Sequence, residues 1–354
     1  MGLLVLTAGM LAAQEGGRFV TEELRSEGLA HTPVGTNPAR KVELYLPAGY
    51  EASGHRYPVI YLLPNPLAGF SEEFFERTVK PVLDHAIAAH TIPPFVLVAA
   101  DMATPYGCTW YVNSPVTGNW EDFMVHDLVP WVDGRYRTAP NRNARGIVGD
   151  FMGGYGAIRF GMTHPEVFGT VYALHPVGTG SGLLTMYSRP DWEKLAAIES
   201  SKKTDGSPAD GFANIFLSIF QASVPDVTKP PAYVDLQARG KDQNVVVDSA
   251  VTERLRDNFL LETMIGKYAD NLKTLRGLRL DWARNDGNQD HVYSNQAFTH
   301  KLNEFGIRHE AEEYNGVWGT GNWGAEGRVA TEVLPFLART MAWGDTTIVE
   351  NRSR

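Results

Sequence analysis

The sequence predicts an α/β protein with a mostly parallel central sheet flanked by helices. Short continuous apolar runs, which suit strands buried on both faces, alternate along the chain with longer segments of helical period. In addition, one buried strand runs into a glycine-rich turn that opens a helix. With 354 residues, 43% of them hydrophobic, the chain is long enough to bury a large core.

The strand and helix patterns follow one another in a regular order. Strands are predicted at 41–47, 58–64, 94–101, 144–150, 170–176, 275–283 and 309–314. Ser71 is a candidate N-cap for a helix over 71–90, in which Pro81 indicates an interruption. Further helices are predicted at 121–136, after the turn at 151, at 295–305 and at 327–342.

These elements predict one α/β domain over 41–342, preceded by an extension at 14–40 and followed by a tail at 343–354. Residues 178–275 are interpreted as a helical insertion, or lid, because glycine-rich and polar stretches interrupt the strand pattern there. Residues 1–13 form an uncharged apolar run ending in small residues, which favours a truncated signal peptide and hence a secreted or periplasmic protein. A short apolar element of a cytoplasmic protein is the alternative.

Charge and cysteine content exclude several classes of protein. A net charge of −9 argues against a nucleic-acid-binding surface, which needs excess Lys and Arg. Cys108 is the single cysteine, so neither an intrachain disulfide nor a cysteine-rich zinc site can form. Apolar runs fall short of the roughly 20 residues that span a bilayer. No particular oligomeric state is predicted.

The most informative segment is 146–159, with the sequence GIVGDFMGGYGAIR. A buried strand, a sharp glycine-rich turn and a helix follow one another there, which is the context in which α/β hydrolases place the nucleophilic serine of G-x-S-x-G. The residue at the middle of this turn is Phe151. A phenyl ring has no ionisable atom and cannot attack a carbonyl.

The resemblance extends well beyond this turn. Segments 146–174, 111–138 and 305–316 resemble the esterase D, S-formylglutathione hydrolase and feruloyl esterase branch of the α/β hydrolases, which implies the α/β-hydrolase fold. That branch shows G-H-S-M-G-G-x-G-A at the turn and Y-x-G-x-H after the last strand. The resemblance therefore puts Phe151 at the serine position and Trp318 at the histidine position.

The other catalytic positions are also implied by the resemblance. The acid is expected after the strand at 275–283, with Asp286 and Asp290 as candidates. Oxyanion-hole groups are expected at Met152 and Gly153 and in the loop at Asn65, where the neighbouring Pro64 and Pro66 lack an N–H donor. Without a serine and its base, the ordinary esterase mechanism is predicted to be absent.

Other chemistry is possible where strands end, because ligands of open α/β sheets bind at the carboxyl ends of the strands. Asp150 is a candidate nucleophile or base, and His175 and His291 are candidates for activating water. Their spacing does not suggest a metal site, and we predict neither metal nor cofactor. Aromatic residues expected at the same rim suggest an apolar or aromatic small-molecule ligand, with ordinary core packing as the alternative: Tyr106, Trp110, Tyr111, Phe151, Trp318 and Trp323.

Three functional hypotheses result. The first is an esterase homologue that lacks the serine triad and binds, or transforms by a non-serine route, a small hydrophobic or ester-like molecule. The second is an active carboxylesterase that uses Asp150 or water activated by His175 or His291. The third is a non-catalytic structural or partner-binding protein. Turnover of short esters without labelling by a serine-directed phosphonate distinguishes the second from the others.

Overall fold

A central eight-stranded sheet organises the protein. The computed structural model describes residues 16–65, 70–180, 190–200, 211–319 and 321–344. The strands of the sheet are β1 (Arg18–Arg25), β2 (Ala39–Leu46), β3 (Val59–Leu63), β4 (Val96–Ala100), β5 (Arg145–Asp150), β6 (Thr170–Leu174), β7 (Gly277–Ala283) and β8 (Glu310–Tyr314). Their order across the sheet is β1-β2-β4-β3-β5-β6-β7-β8.

Most neighbouring strands are parallel, as the alternation of strand and helix patterns predicts. Strands β3 to β8 pair in parallel, and β2 pairs antiparallel with both β1 and β4. The predicted mostly parallel central sheet is therefore confirmed. The strand β1 was not predicted from the sequence. It lies within the segment interpreted as an extension and forms one edge of the sheet.

Helices cover both faces of the sheet. Three helical runs contain a π-helical turn, at 75–79, 123–128 and 329–333. Of these, α1 consists of Glu72–Phe74, Phe75–Val79 and Lys80–Ala88, and α2 consists of Trp120–Asp122, Phe123–Leu128 and Val129–Arg135. The others are α3 (Met152–Thr163), α4 (Trp192–Ser200), α5 (Gly211–Ser223), α6 (Ser249–Phe259), α7 (Leu261–Lys273), α8 (Gln289–Glu304) and α9, which joins Val329–Val333 to Leu334–Thr340.

The apolar side chains form a separate core on each face of the sheet, as two-faced burial of parallel strands requires. One core contains residues of α2, α3, α7 and α8, including Phe160 and Phe298. The other contains residues of α1 and α9, including Phe75 and Phe336. Both central strands β5 and β6 are buried along almost their whole length, so packing on both faces of the sheet fixes the positions of their carboxyl ends.

Four helices, α4 to α7, lie between β6 and β7, in the segment interpreted as a helical insertion. Helices α4 and α5 share a small apolar core of their own with residues near 234, including Leu217 and Phe220. In contrast, α7 packs on α3, where the Asn271 side chain donates to the carbonyl of Met162 at 2.7 Å. The helix of 261–273 is thus part of the layer that covers the sheet.

Some predicted features lie outside the described residues. These are the apolar run at 1–13, Pro66 and most of the predicted tail, from 345 onward. Among the described residues, no helix has the length and apolar character needed to cross a membrane.

Candidate active site

The turn between β5 and α3 has a strained backbone, as the glycine-rich sequence predicts. Phe151 has φ 58° and ψ −108°, a conformation that side-chain-bearing residues rarely adopt. A Cβ atom on Gly149 would lie 1.9 Å from the carbonyl oxygen of Gly153, so only glycine fits against the turn. Phe151 thus lies at a strained turn of positive φ between a strand and a helix.

The ring of Phe151 is enclosed by three other rings. Trp318 stacks on it with a centroid distance of 4.2 Å and an interplanar angle of 10°. His291 meets it edge-on at 5.3 Å, and His175 lies nearly parallel to it at 6.2 Å. Phe151 is buried and Trp318 is half-buried, so the pair contributes apolar packing as well as ring contact.

Asp286 joins the two histidines in one hydrogen-bond network. Its Oδ2 lies 2.7 Å from His175 Nε2 and 2.7 Å from His291 Nδ1. Its Oδ1 accepts the backbone N–H of Asn288 at 2.8 Å. Burial alone would raise the pKa of Asp286, but these hydrogen bonds hold that pKa well below its ordinary value, so the carboxyl is ionised.

The partners of each histidine define its tautomer. His175 Nδ1 accepts the backbone N–H of Ala283 at 2.9 Å, so its proton is on Nε2, facing Asp286. His291 Nε2 lies 3.0 Å from the side-chain nitrogen of Asn288, which leaves the proton on Nδ1, also facing Asp286. Burial lowers the pKa of His175, which favours its neutral form.

The hydrogen-bond partners of His175 also affect whether this group of residues could bind a metal ion. His175, Asp286 and His291 offer ligand atoms within 4.8 Å of one another. However, a metal-bound histidine normally donates its second N–H to an acceptor, whereas the second nitrogen of His175 itself accepts a backbone N–H. A metal on Nε2 would therefore require an imidazolate. The proton positions fit a hydrogen-bonded network better than a metal centre.

Asp150 is the last residue of β5 and directly precedes Phe151. Its Oδ1 accepts from the side-chain nitrogen of Asn322 at 3.3 Å. Burial raises the pKa of Asp150 to about 7, opposed by the Asn322 hydrogen bond and assisted by the nearby Asp281 carboxylate. The described residues that line the cavity beside Phe151 do not include Asp150.

This raised pKa predicts how stability depends on pH. Because the folded protein holds the Asp150 proton more tightly than the unfolded chain, stability falls as the pH rises from about 4 to about 7. The full shift corresponds to roughly 4 kcal/mol, and because Asp150 as a whole residue is only half-buried we expect about 2 kcal/mol. Asp150→Asn, which stays neutral, should be more stable than the parent protein by about this amount at pH 8 and by much less at pH 4.5.

Urea denaturation of both proteins at pH 8 and pH 4.5 measures the difference in their free energies of unfolding. Titrating groups other than Asp150 affect both proteins equally and do not contribute to that difference. An Asp150→Asn advantage that is equal at both pH values would show that Asp150 does not titrate in this range.

A cavity of about 380 Å³ opens beside the ring of Phe151. Its wall is built mainly from apolar side chains of α5 and α6, with polar groups from α8. The described lining residues are Trp110, Phe151, Met152, Val177, Gly178, Gly180, Ile215, Phe216, Ile219, Phe220, Gln237, Thr252, Leu255, Arg256, Phe259, Leu260, Asn288, Asp290, His291 and Ser294.

Only some of the predicted aromatic residues line this cavity within the described part of the chain. Trp110 does, and its indole N–H donates to Ser218 at 2.9 Å. Tyr111 instead lies in the core, where its ring packs against Gly156 and Phe160. Tyr106 packs on the small core of α4 and α5, and Trp323 meets Phe74 edge-on at 5.9 Å. For these three residues the core-packing alternative describes the observed positions.

The two predicted acids occupy different positions. Asp286 is buried in the loop after β7, between the two histidines, whereas Asp290 is in the first turn of α8 and lines the cavity. The helix begins earlier than predicted because the side chain of Asn288 caps it by accepting the N–H of Asp290. Met152 and Gly153 form the first turn of α3, and Asn65 is buried after β3.

The cavity walls contributed by α5 and α6 were not predicted from the sequence. The lining residues of α6 are spaced along one face of the helix, at 252, 255, 256 and 259, and those of α5 at 215, 216, 219 and 220. This helical spacing is visible in the sequence. The sequence alone does not show which part of the fold each of these helix faces packs against.

The parallel sheet, the strained strand-to-helix turn and the flanking helices define the α/β-hydrolase fold, which confirms the predicted fold class. The chain belongs to the esterase family, since the family model Esterase, described as “Putative esterase”, matches residues 34–309.

Individual relatives match a shorter part of the chain. An esterase of Mycobacterium tuberculosis (strain H37Rv) is 31% identical over 132 residues, which are 36% of this chain and 26% of that protein. An endo-1,4-beta-xylanase/feruloyl esterase of Xylanibacter ruminicola is 27% identical over 147 residues, 38% of this chain and 19% of that protein. The chain thus spans about a quarter or less of the length of these relatives.

Solved structures share the fold over nearly the whole chain. A ferulic acid esterase has a TM-score of 0.61 and 18% identity, covering 92% of this chain and 99% of its own. An S-formylglutathione hydrolase from Agrobacterium tumefaciens has a TM-score of 0.57 and 13% identity, covering 92% and 96%. At these identities the likeness concerns the fold alone.

Proposed function

We propose that this esterase-family protein lacks the serine triad and binds a small apolar or aromatic molecule beside Phe151 without serine-dependent hydrolysis. The observation that carries the proposal is the stacked pair of Phe151 and Trp318 at 4.2 Å. The resemblance predicts the nucleophile at one of these positions and its base at the other. A serine and its base must be neighbours, so their contact supports this alignment of both positions.

The neighbouring polar groups do not supply an obvious replacement nucleophile. Asp286 is engaged by three hydrogen-bond donors, and both nitrogens of His175 are engaged inside the protein. Asp150 faces Asn322 and is not among the described cavity-lining residues. In a binding protein the hydrogen-bonded histidines would hold the ring of Phe151, which lines the cavity, in a fixed position.

The cavity wall supports an apolar ligand. Its described lining contains five aromatic side chains other than histidine: Trp110, Phe151, Phe216, Phe220 and Phe259. A pocket of this kind with a few polar groups orients a small molecule through the polar groups and stabilises it through apolar burial. Each square ångström of apolar surface removed from water contributes about 25 cal/mol.

Two assays on the purified protein test the proposal. We expect no protein-dependent hydrolysis of p-nitrophenyl acetate or butyrate and no mass increase after treatment with a fluorophosphonate. We also expect small apolar or aromatic molecules to raise the melting temperature, because a ligand that binds only the folded state stabilises it. Phosphonate labelling together with ester turnover would contradict the proposal, and failure of all ligands would favour a structural or partner-binding role.

A second candidate function is ester hydrolysis by water activated at His291. The observation that favours it is that His291 lines the cavity while its Nδ1–H is held by Asp286, an arrangement that orients a histidine as a general base. Against it, His291 Nε2 already contacts Asn288. Turnover that persists after fluorophosphonate treatment and is lost in His291→Gln would establish this function in place of the first.

A further inference from the structure

Arg256 is the one arginine or lysine among the described residues that line the cavity. It lies on α6 together with Thr252, one helical turn earlier, and the lining residue Gln237 donates to Thr252 at 3.2 Å. The cavity therefore has a polar, cationic patch at its α6 wall. The apolar side chains of Leu255 and Phe259 continue from this patch along the same helix face.

A different part of the cavity lining carries an acidic residue. There α8 contributes Asp290, and the ionised Asp286 is buried behind His291. An anionic group placed at this wall would be repelled, whereas at the α6 wall it would face a guanidinium. The basic and acidic lining residues thus lie on different helices, which favours one orientation of a charged ligand.

From this charge arrangement we propose that the cavity selects amphipathic monocarboxylates, with the apolar body beside Phe151 and the carboxylate at Arg256. This inference rests on the proposed binding function and adds the ligand class. Guanidinium groups bind carboxylates through two parallel hydrogen bonds, which gives both direction and affinity.

Arg256 is available for such an interaction. Its Nε lies 3.3 Å from a carboxylate oxygen of Asp257, and both side chains are more than half exposed. Exposed ion pairs of this kind contribute little. A ligand carboxylate within the cavity would be shielded from water by the apolar lining and would compete for the terminal nitrogens of Arg256.

Four matched probes test the ligand class: 4-phenylbutanoate, 4-phenylbutanamide, methyl 4-phenylbutanoate and 4-phenylbutylamine. They share one apolar body and differ in charge and hydrogen bonding. By isothermal titration calorimetry we expect 4-phenylbutanoate to bind about tenfold more tightly than the amide or the ester, and the amine to bind most weakly.

Variants of Arg256 assign this preference to one side chain. Arg256→Met should reduce 4-phenylbutanoate affinity to that of the amide, and Arg256→Glu should reverse the order so that the amine binds best. Arg254→Met is the matched control, since Arg254 is on the same helix, pairs with Asp235 at 2.7 Å and is not among the described lining residues. It should leave the preference unchanged.

The outcomes separate this inference from the function on which it rests. Equal binding of the neutral probes and the carboxylate, retention of the carboxylate preference in Arg256→Met, or an equal loss in Arg254→Met would overturn the inference while the binding function stands. Failure of all four probes to bind the parent protein would overturn both.

Discussion

We expect Phe151→Ser combined with Trp318→His to hydrolyse p-nitrophenyl butyrate at least about 100-fold faster than Phe151→Ser alone. The members of a serine triad act as a unit, so a serine without its base recovers almost no activity, and a general base contributes 10²- to 10⁴-fold. The ring contact at 4.2 Å indicates that a serine and a histidine at these positions would be neighbours. Initial rates of the two variants measure the difference.

The rate of the double variant should remain far below that of a natural esterase. Asp286, which would orient the new histidine, already accepts hydrogen bonds from His175 and His291 on the same oxygen. Replacing the buried Phe151 ring also leaves a cavity, which can cost about 3 to 5 kcal/mol, so thermal unfolding must show that each variant is folded.

His291 provides the control for this experiment. It lies 5.3 Å from the Phe151 ring and could replace Trp318→His as the base for a new serine. Full activity of a folded Phe151→Ser variant, lost again in Phe151→Ser with His291→Gln, would show that the base position was assigned to the wrong residue.

The second large effect concerns stability. Asp286→Ala should lower the free energy of unfolding by about 3 to 5 kcal/mol, because it leaves the N–H groups of His175 and His291 without their acceptor inside the protein. Asp290→Ala is the matched control on the adjacent helix turn and should change stability by less than about 1 kcal/mol. Urea denaturation at pH 7 measures both. Equal effects of the two substitutions would contradict the central place of Asp286 in the network.

The Asp286 contribution also has a defined pH dependence. The pKa of this carboxyl is lower in the folded protein than in the unfolded chain, so its stabilising effect is complete above about pH 4 and decreases as the pH falls further. The difference in the free energy of unfolding between the parent protein and Asp286→Ala should therefore decrease below pH 4. A constant difference between pH 7 and pH 3 would contradict the ionised state of Asp286.

Much of the fold could be predicted because hydrophobic period and turn chemistry are local properties. Buried strands such as β3 are continuous apolar runs, and the turn at Phe151 was recognisable from its glycines. Strand β1 escaped prediction because its residues are largely exposed or half-buried at the sheet edge. The start of α8 was placed too late because the cap at Asn288 precedes any apolar repeat.

Only part of the candidate site could be predicted from the sequence. Strand order brings His175, Asp286 and His291 to one rim, but their shared hydrogen bonds depend on side-chain positions that sequence spacing does not fix. Likewise, Tyr111 and Trp110 are adjacent in sequence, yet Trp110 lines the cavity while Tyr111 packs in the core. An aromatic residue near a strand end is thus a weak indicator of ligand contact.

The most direct test of the account is calorimetric titration with methyl 4-phenylbutanoate, followed by chemical analysis of the same sample. We predict saturable one-to-one binding at the cavity beside Phe151 and recovery of the intact ester. Protein-dependent release of methanol and 4-phenylbutanoate would contradict the account, as would the absence of any binding.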